Sequence, residues 1–151
     1  MTEGLVGAKN VKGLIYLTAF VLDKDETLFA ACGSVDPIWW RRNQENTRLT
    51  ADNPMEIFYN TTPQPLAQEA AGRLRTQSLE AFNQPMRNVA WKSIDSTYII
   101  CEKDNAIPLF AQEGMSQRCT RAVRMNTDHS PFLSAPQELA ALIKRSLPSH
   151  D

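Results

Sequence analysis

Ser96-Thr97-Tyr98-Ile99-Ile100-Cys101-Glu102-Lys103-Asp104 and, further along, Asp128-His129-Ser130-Pro131-Phe132 decide how this chain is read. The first stretch is a short apolar, β-branched run with a carboxylate at its C-terminal end. The second follows another such run, Arg121 to Met125, and puts an imidazole on the loop after it. Both runs have the length and bounding residues of strands. A carboxylate and an imidazole delivered at two strand ends read as the acid and histidine of a hydrolytic triad. Imidazole takes a nucleophile's proton only if a fixed carboxylate holds its tautomer and stabilises the imidazolium.

Working outward, Val11 to Val21 is largely apolar and rich in Val, Ile, Leu, Tyr and Phe, the pattern of a parallel strand covered on both faces. Tyr98 to Cys101 and Ala122 to Met125 are the other two strands, each followed by a helix-forming stretch. From Ser96 onward the order is strand, helix, strand, helix, which places the chain in the α/β class. The helix after Asp104 starts near Pro108 and is expected to carry Phe110, Ala111 and Met115 toward the core. Ser134 with Gln137 predicts a capping box for the last helix, with Pro136 in its first turn. Leu139, Leu142, Ile143 and Leu147 follow at helical spacing, and the helix is expected to fray near Pro148.

Residues from about 24 to 91 break this alternation and predict an inserted, mainly helical cap over the C-terminal end of the sheet. Thr62-Pro63 marks a helix start, and Leu66, Ala67, Ala70, Ala71, Leu74, Leu79 and Phe82 form an amphipathic series ending before Pro85. Ile38-Trp39-Trp40 and Met55 to Tyr59 suggest shorter helical pieces. There is no internal repeat, low-complexity run or linker, so a single domain over 1–151 is expected.

Composition excludes several function classes. The 151 residues are 42% hydrophobic and 22% charged, the make-up of one globular domain. Sixteen basic and seventeen acidic residues give a net charge of -1 with no basic stripe, so nucleic acid is not an expected partner. A small molecule is. Cys32, Cys101 and Cys119 lie far apart and form no CxxC pair, so neither a metal nor a cofactor is expected, and free thiols suit a reducing cytoplasm. Cys101, inside a strand, reads as a packing residue. Gly13 to Leu22, preceded by Lys9 and Lys12 and followed by Ala30-Ala31-Cys32, faintly mimics a signal peptide. Asp23-Lys24-Asp25-Glu26 argues against that, and the run is too short for a bilayer, so no membrane association is expected.

His129 is one of two histidines, and the other, His150, sits in a polar C-terminal tail. The plain alternative for His129 is a loop histidine bonded to nearby backbone, and for Asp104 a turn carboxylate bonded to its own backbone. Glu102 and Asp128 are rival acids. Glu102 is placed two residues early, and Asp128 adjoins His129 too closely to approach the ring from behind. Trp39, Trp40, Phe58 and Tyr59 are candidate walls of a ligand pocket, although aromatic clusters also serve as plain core.

These stretches resemble the α/β-hydrolase superfamily, in the branch of plant methylesterases and hydroxynitrile lyases. Tyr98 to Pro108 resembles that branch's acid strand and loop, with Asp104 as the triad acid, and Asp128 to Pro136 resembles its histidine loop. Leu14 to Phe20 resembles the strand after the nucleophile helix, and Asn53 to Asn60 a cap segment. The resemblance implies a partial α/β-hydrolase fold: about three parallel strands, flanking helices and the helical cap. It also implies esterase-type chemistry, a serine attacking an ester or related carbonyl.

The family's nucleophile motif, G-x-S-x-G on a strand-to-helix turn, is absent from the sequence, as is its His-Gly-Gly oxyanion loop. Gly114-Met115-Ser116-Gln117-Arg118 lacks the second glycine, and Ser34 and Ser130 have no such context. The chain is therefore expected to be inactive on its own. The alternatives are a non-catalytic small-ligand or protein-interaction module and an incomplete coding sequence. A bare edge on the first strand is expected to invite self-association.

Overall fold

The computed structural model describes residues 2–147; His150 and Pro148 lie outside the described residues. Its centre is a parallel sheet of β1 (Leu14–Leu17), β5 (Ser96–Cys101) and β6 (Arg121–Met125), in the order β1-β5-β6. Tyr16 lies opposite Tyr98 in one register, and Ile99 opposite Val123 in the other. All residues of the central β5 are buried, which is why its sequence is an unbroken run rather than an alternation.

Side-chain alternation still sorts the two faces. Leu14, Tyr16, Tyr98 and Ile100 join Val21, Ala90, Ile107 and Met115 on one side of the sheet. Ile99, Met125 and Leu139 form the core of the other, with Ile15, Leu17, Val123, Leu142 and Ile143 packed around them. The helices responsible are α5 (Leu109–Ser116) and α7 (Pro136–Ser146), as the strand-helix order requires.

Several expectations are corrected in detail. The first strand is only Leu14–Leu17, because Thr18 takes a left-handed φ of 43° and ends it. The rest of the apolar run after Leu17 is a half-buried loop, with only Val21 fully buried, whose backbone groups are met by side chains. Ala19 O accepts from the Tyr98 hydroxyl at 2.9 Å, Val21 O from Arg118 at 2.7 Å and Leu22 O from Trp91 Nε1 at 2.9 Å. Partial covering produces the same apolar composition in coil as in a strand. In α5 the core face is Ala111, Gln112 and Met115, while Phe110 is 77% exposed. Ser134 does not cap α7; its hydroxyl goes to Asp128 Oδ1 at 2.8 Å and ends the short α6 (Pro131–Ser134).

The segment between β1 and β5 differs most from its mainly helical expectation. It holds α1 (Leu28–Ala31), α2 (Pro54–Phe58), α3 (Gln64–Gly72) and α4 (Leu79–Asn83). It also holds a second, antiparallel sheet of β2 (Trp40–Arg42), β3 (Arg48–Ala51) and β4 (Gln77–Ser78). The β2-β3 turn is organised by Asn43, whose Oδ1 accepts from the N–H groups of Thr47 and Arg48 at 2.8 Å each. Trp40, Leu49 and Leu79 form a small core there, and the apparent long helix stops at Gly72. Among the described residues no helix is long and apolar enough to cross a membrane.

One buried side chain holds the end of β5. Since β1 stops opposite Ile99, the main-chain groups of Cys101 have no strand partner on that side. The fully buried Gln112 supplies one: its Oε1 accepts from Cys101 N at 2.9 Å, and its Nε2 donates to Cys101 O at 3.0 Å and Ile107 O at 2.8 Å. Replacement by leucine strands three backbone groups in the interior. Gln112→Leu is therefore expected to lower unfolding stability by about 3 kcal/mol or more, read as a reduced urea midpoint at unchanged slope.

Candidate active site

The β5-β6 ladder continues past both strands. Glu102 N donates to Met125 O at 2.9 Å and Lys103 N to Thr127 O at 3.0 Å, so the two loops leave the sheet side by side. Asp104 then turns back on itself, its Oδ1 accepting from Ala106 N at 2.7 Å and Ile107 N at 2.9 Å. That local bonding aims Oδ2 at His129, where it lies 2.9 Å from Nδ1. The carboxylate is fully buried and the imidazole side chain 23% exposed. Since an ionised carboxylate can only accept, Nδ1 carries the proton of the neutral ring and Nε2 presents its lone pair.

The rival acids point elsewhere. Glu102 pairs with Arg124 at 3.3 Å. Asp128 is buried and accepts from Thr61 N, Thr62 Oγ1, Ser130 N and Ser134 Oγ. Burial alone would push its carboxyl up, yet these hydrogen bonds outweigh that and hold it below the ordinary carboxylate range. The sequence presents Asp128 only as a competitor for His129, and this arrangement is not among its expectations. The hydroxyl-rich pairs Thr61-Thr62 and Ser130…Ser134 are the one signal of it.

Of the four aromatic candidates, one is brought to the histidine and a second packs behind it. The Phe58 ring lies 5.3 Å from the His129 ring, tilted by 44°, and Trp39 meets Phe58 edge-on at 5.3 Å. Trp40 packs into the small core against Phe82 at 4.8 Å. Tyr59 is buried and lines a separate groove with Leu66, Phe132 and Leu133.

Trp39 borders two cavities. One, of about 410 Å³, lies against Trp40, Phe58, Leu74 and Phe82. The other, of about 720 Å³ and mostly apolar, is lined by Phe20, Ile38, Ile57, Ile107 and Phe110 and reaches the Asp104 loop at Asn105 and Ala106. Phe20, Ile38, Ile107 and Phe110 carry no sequence mark of a lining residue. Ile38 is 91% exposed, and the helical period alone assigns Phe110 to the core.

The serines do not complete the arrangement. Ser116 Oγ donates to Glu113 O at 2.8 Å within α5, and Ser130 is buried in the turn around Asp128. Cys101 is buried, and desolvation pushes its thiol up to about 11, the behaviour of a packing residue.

Comparison with known proteins agrees with this fold. The model of the alpha/beta hydrolase family matches residues 2–142. The alpha/beta hydrolase nvfD of Aspergillus novofumigatus is 30% identical over 149 residues, covering 93% of this chain and 58% of the relative. The chain thus spans under two thirds of that protein's length. Among solved structures, a pyrethroid hydrolase from Sphingobium faniae superposes with a TM-score of 0.71 at 24% identity, over 93% of this chain and 62% of the other. Polyneuridine aldehyde esterase superposes with a TM-score of 0.74 at 17% identity, over 96% and 65%. The chain belongs to the alpha/beta hydrolase family.

Proposed function

We propose that this chain supplies the acid and the base of a serine-type hydrolase acting on a small ester or related carbonyl compound. The observation that carries the reading is the 2.9 Å approach of Asp104 Oδ2 to His129 Nδ1 at the C-terminal ends of adjacent parallel strands. Open α/β sheets place their ligands at that end. In this reading Asp104 fixes the ring and stabilises the imidazolium, while Nε2 takes the proton of an attacking hydroxyl and returns it to the leaving group.

The substrate's apolar part occupies the space walled by Trp39, Phe20 and Phe110, with residues 24–91 acting as the cap. The chemistry of the lining supports this: few polar groups, several aromatic and aliphatic faces, and the Asp104 loop at one margin through Asn105 and Ala106. A nucleophile and oxyanion donors come from outside this sequence, since it encodes no G-x-S-x-G turn.

Three outcomes are expected. The purified chain hydrolyses short activated esters no faster than buffer, and a rate above buffer that disappears in His129→Ala would contradict the inactivity. A chimera adding the portion of the Aspergillus novofumigatus relative that this chain does not span hydrolyses such esters, and His129→Ala lowers its kcat about a thousandfold or more. An unchanged kcat in His129→Ala and Asp104→Asn chimeras would sink the reading. In the same chimera Trp39→Ala should raise KM by about tenfold, the effect of roughly 1.4 kcal/mol of lost contact, with kcat little changed.

A further inference from the structure

Among the described residues, Asp128 is the most completely enclosed carboxylate with no role in the proton transfer proposed above. Its residue is 0% exposed, and among the described residues it has no cationic partner. Burying a carboxylate without a counter-ion is unfavourable unless hydrogen bonds replace its water. Here four neutral donors do so, and they fall into two groups. Oδ1 accepts from within the histidine loop, from Ser130 N at 3.0 Å and Ser134 Oγ at 2.8 Å. Oδ2 accepts from across the fold, from Thr61 N at 3.0 Å and Thr62 Oγ1 at 2.8 Å. The main chain answers in kind, with Asp128 N donating to Thr61 Oγ1 at 3.2 Å.

The position of those partners gives the arrangement its meaning. Thr61 and Thr62 follow α2, whose Phe58 ring lies 5.3 Å from the His129 ring. The same stretch is tied to the Asp104 loop, because Asn60 Nδ2 donates to Lys103 O at 3.0 Å and Asn105 Nδ2 to Glu56 O at 2.8 Å. Residues 56–62 are thereby fastened to both loops that bear the acid and the imidazole. A cap made by asparagine or serine would satisfy the loop alone. Only a carboxylate, with acceptor sites on two oxygens and no donor, satisfies both groups of N–H and O–H donors together.

We propose that Asp128 is the positioning residue of His129, fixing the imidazole's orientation and tautomer against Asp104 by locking the histidine loop to residues 61–62. The inference rests on the acid–imidazole reading of Asp104 and His129 and adds to it a second carboxylate that never touches the ring. It separates two tasks that one aspartate could not perform from one place: Asp104 meets Nδ1, and Asp128 sets where Nδ1 is.

The test is the tautomer of the neutral His129 ring in the purified chain, read from ¹⁵N–¹H couplings and assigned with a His150→Gln variant. The wild type is expected to hold the Nδ1–H form as its majority. Asp104→Asn, whose amide donates toward Nδ1, should reverse the majority to Nε2–H. Asp128→Asn should also lose the Nδ1–H majority although Asp104 is intact, because its amide N–H groups oppose the donors of one of the two groups.

An Asp128→Asn chain that unfolds at lower temperature but keeps the wild-type tautomer would overturn the proposal, leaving Asp128 a purely structural residue. Where Asp128→Asn fails to fold, Thr62→Val and Ser134→Ala take its place, each removing one hydrogen bond to the carboxylate. A reduced Nδ1–H share in either supports positioning, and an unchanged tautomer in both overturns it. If Asp104→Asn itself leaves the tautomer unchanged, the acid–imidazole reading fails first. The two failures are therefore distinct.

Discussion

The C-terminal end of the sheet depends on β5 and β6 remaining paired after both have ceased to be strands. Two main-chain hydrogen bonds, Glu102 N to Met125 O and Lys103 N to Thr127 O, carry the parallel ladder into the loops. Loop closure is entropically unfavourable when a loop leaves its scaffold freely. Here each loop leaves alongside the other, so the distance between Asp104 and His129 is set by strand spacing rather than by the flexibility of either loop. Gln112 does the complementary task on the opposite side of β5, standing in for a strand that has ended.

That ordering explains why the pair is legible in the amino-acid sequence alone. An apolar run with a carboxylate just past its end, and another with a histidine just past its end, fix two points on a parallel sheet once the strands are adjacent. Helical spacing likewise locates α3 at its start and α7 along its length. In each case a short-range pattern coincides with a burial pattern, and the physics of one element suffices.

The rest is hidden for identifiable reasons. Leu14 to Val21 is apolar because it is buried or half-buried throughout, and covering does not distinguish a strand from a loop whose carbonyls are met by Tyr98, Arg118 and Trp91. The antiparallel sheet of residues 40–78 has three short strands, and although Arg48–Ala51 alternates, it does so over only four residues, so helical spacing in its neighbours dominates the pattern. Ser134 and Asp128 show a further limit. A serine three residues before a glutamine satisfies a local rule, but a buried carboxylate six residues upstream attracts the same hydroxyl more strongly. Partners distant in sequence, such as Thr61 and Thr62, leave no periodic trace at all.

Trp39 stands between two cavities, with its indole facing both the space beside Trp40 and Phe82 and the larger space beside Phe20 and Phe110. A partition made of one side chain is a simple evolutionary control. Exchange of that residue for a smaller one enlarges both chambers on their shared side, while a change of its rotamer redistributes room between them. Asp104, His129 and the hydrogen bonds around them belong to other elements, so the room beside Trp39 can change without moving either side chain.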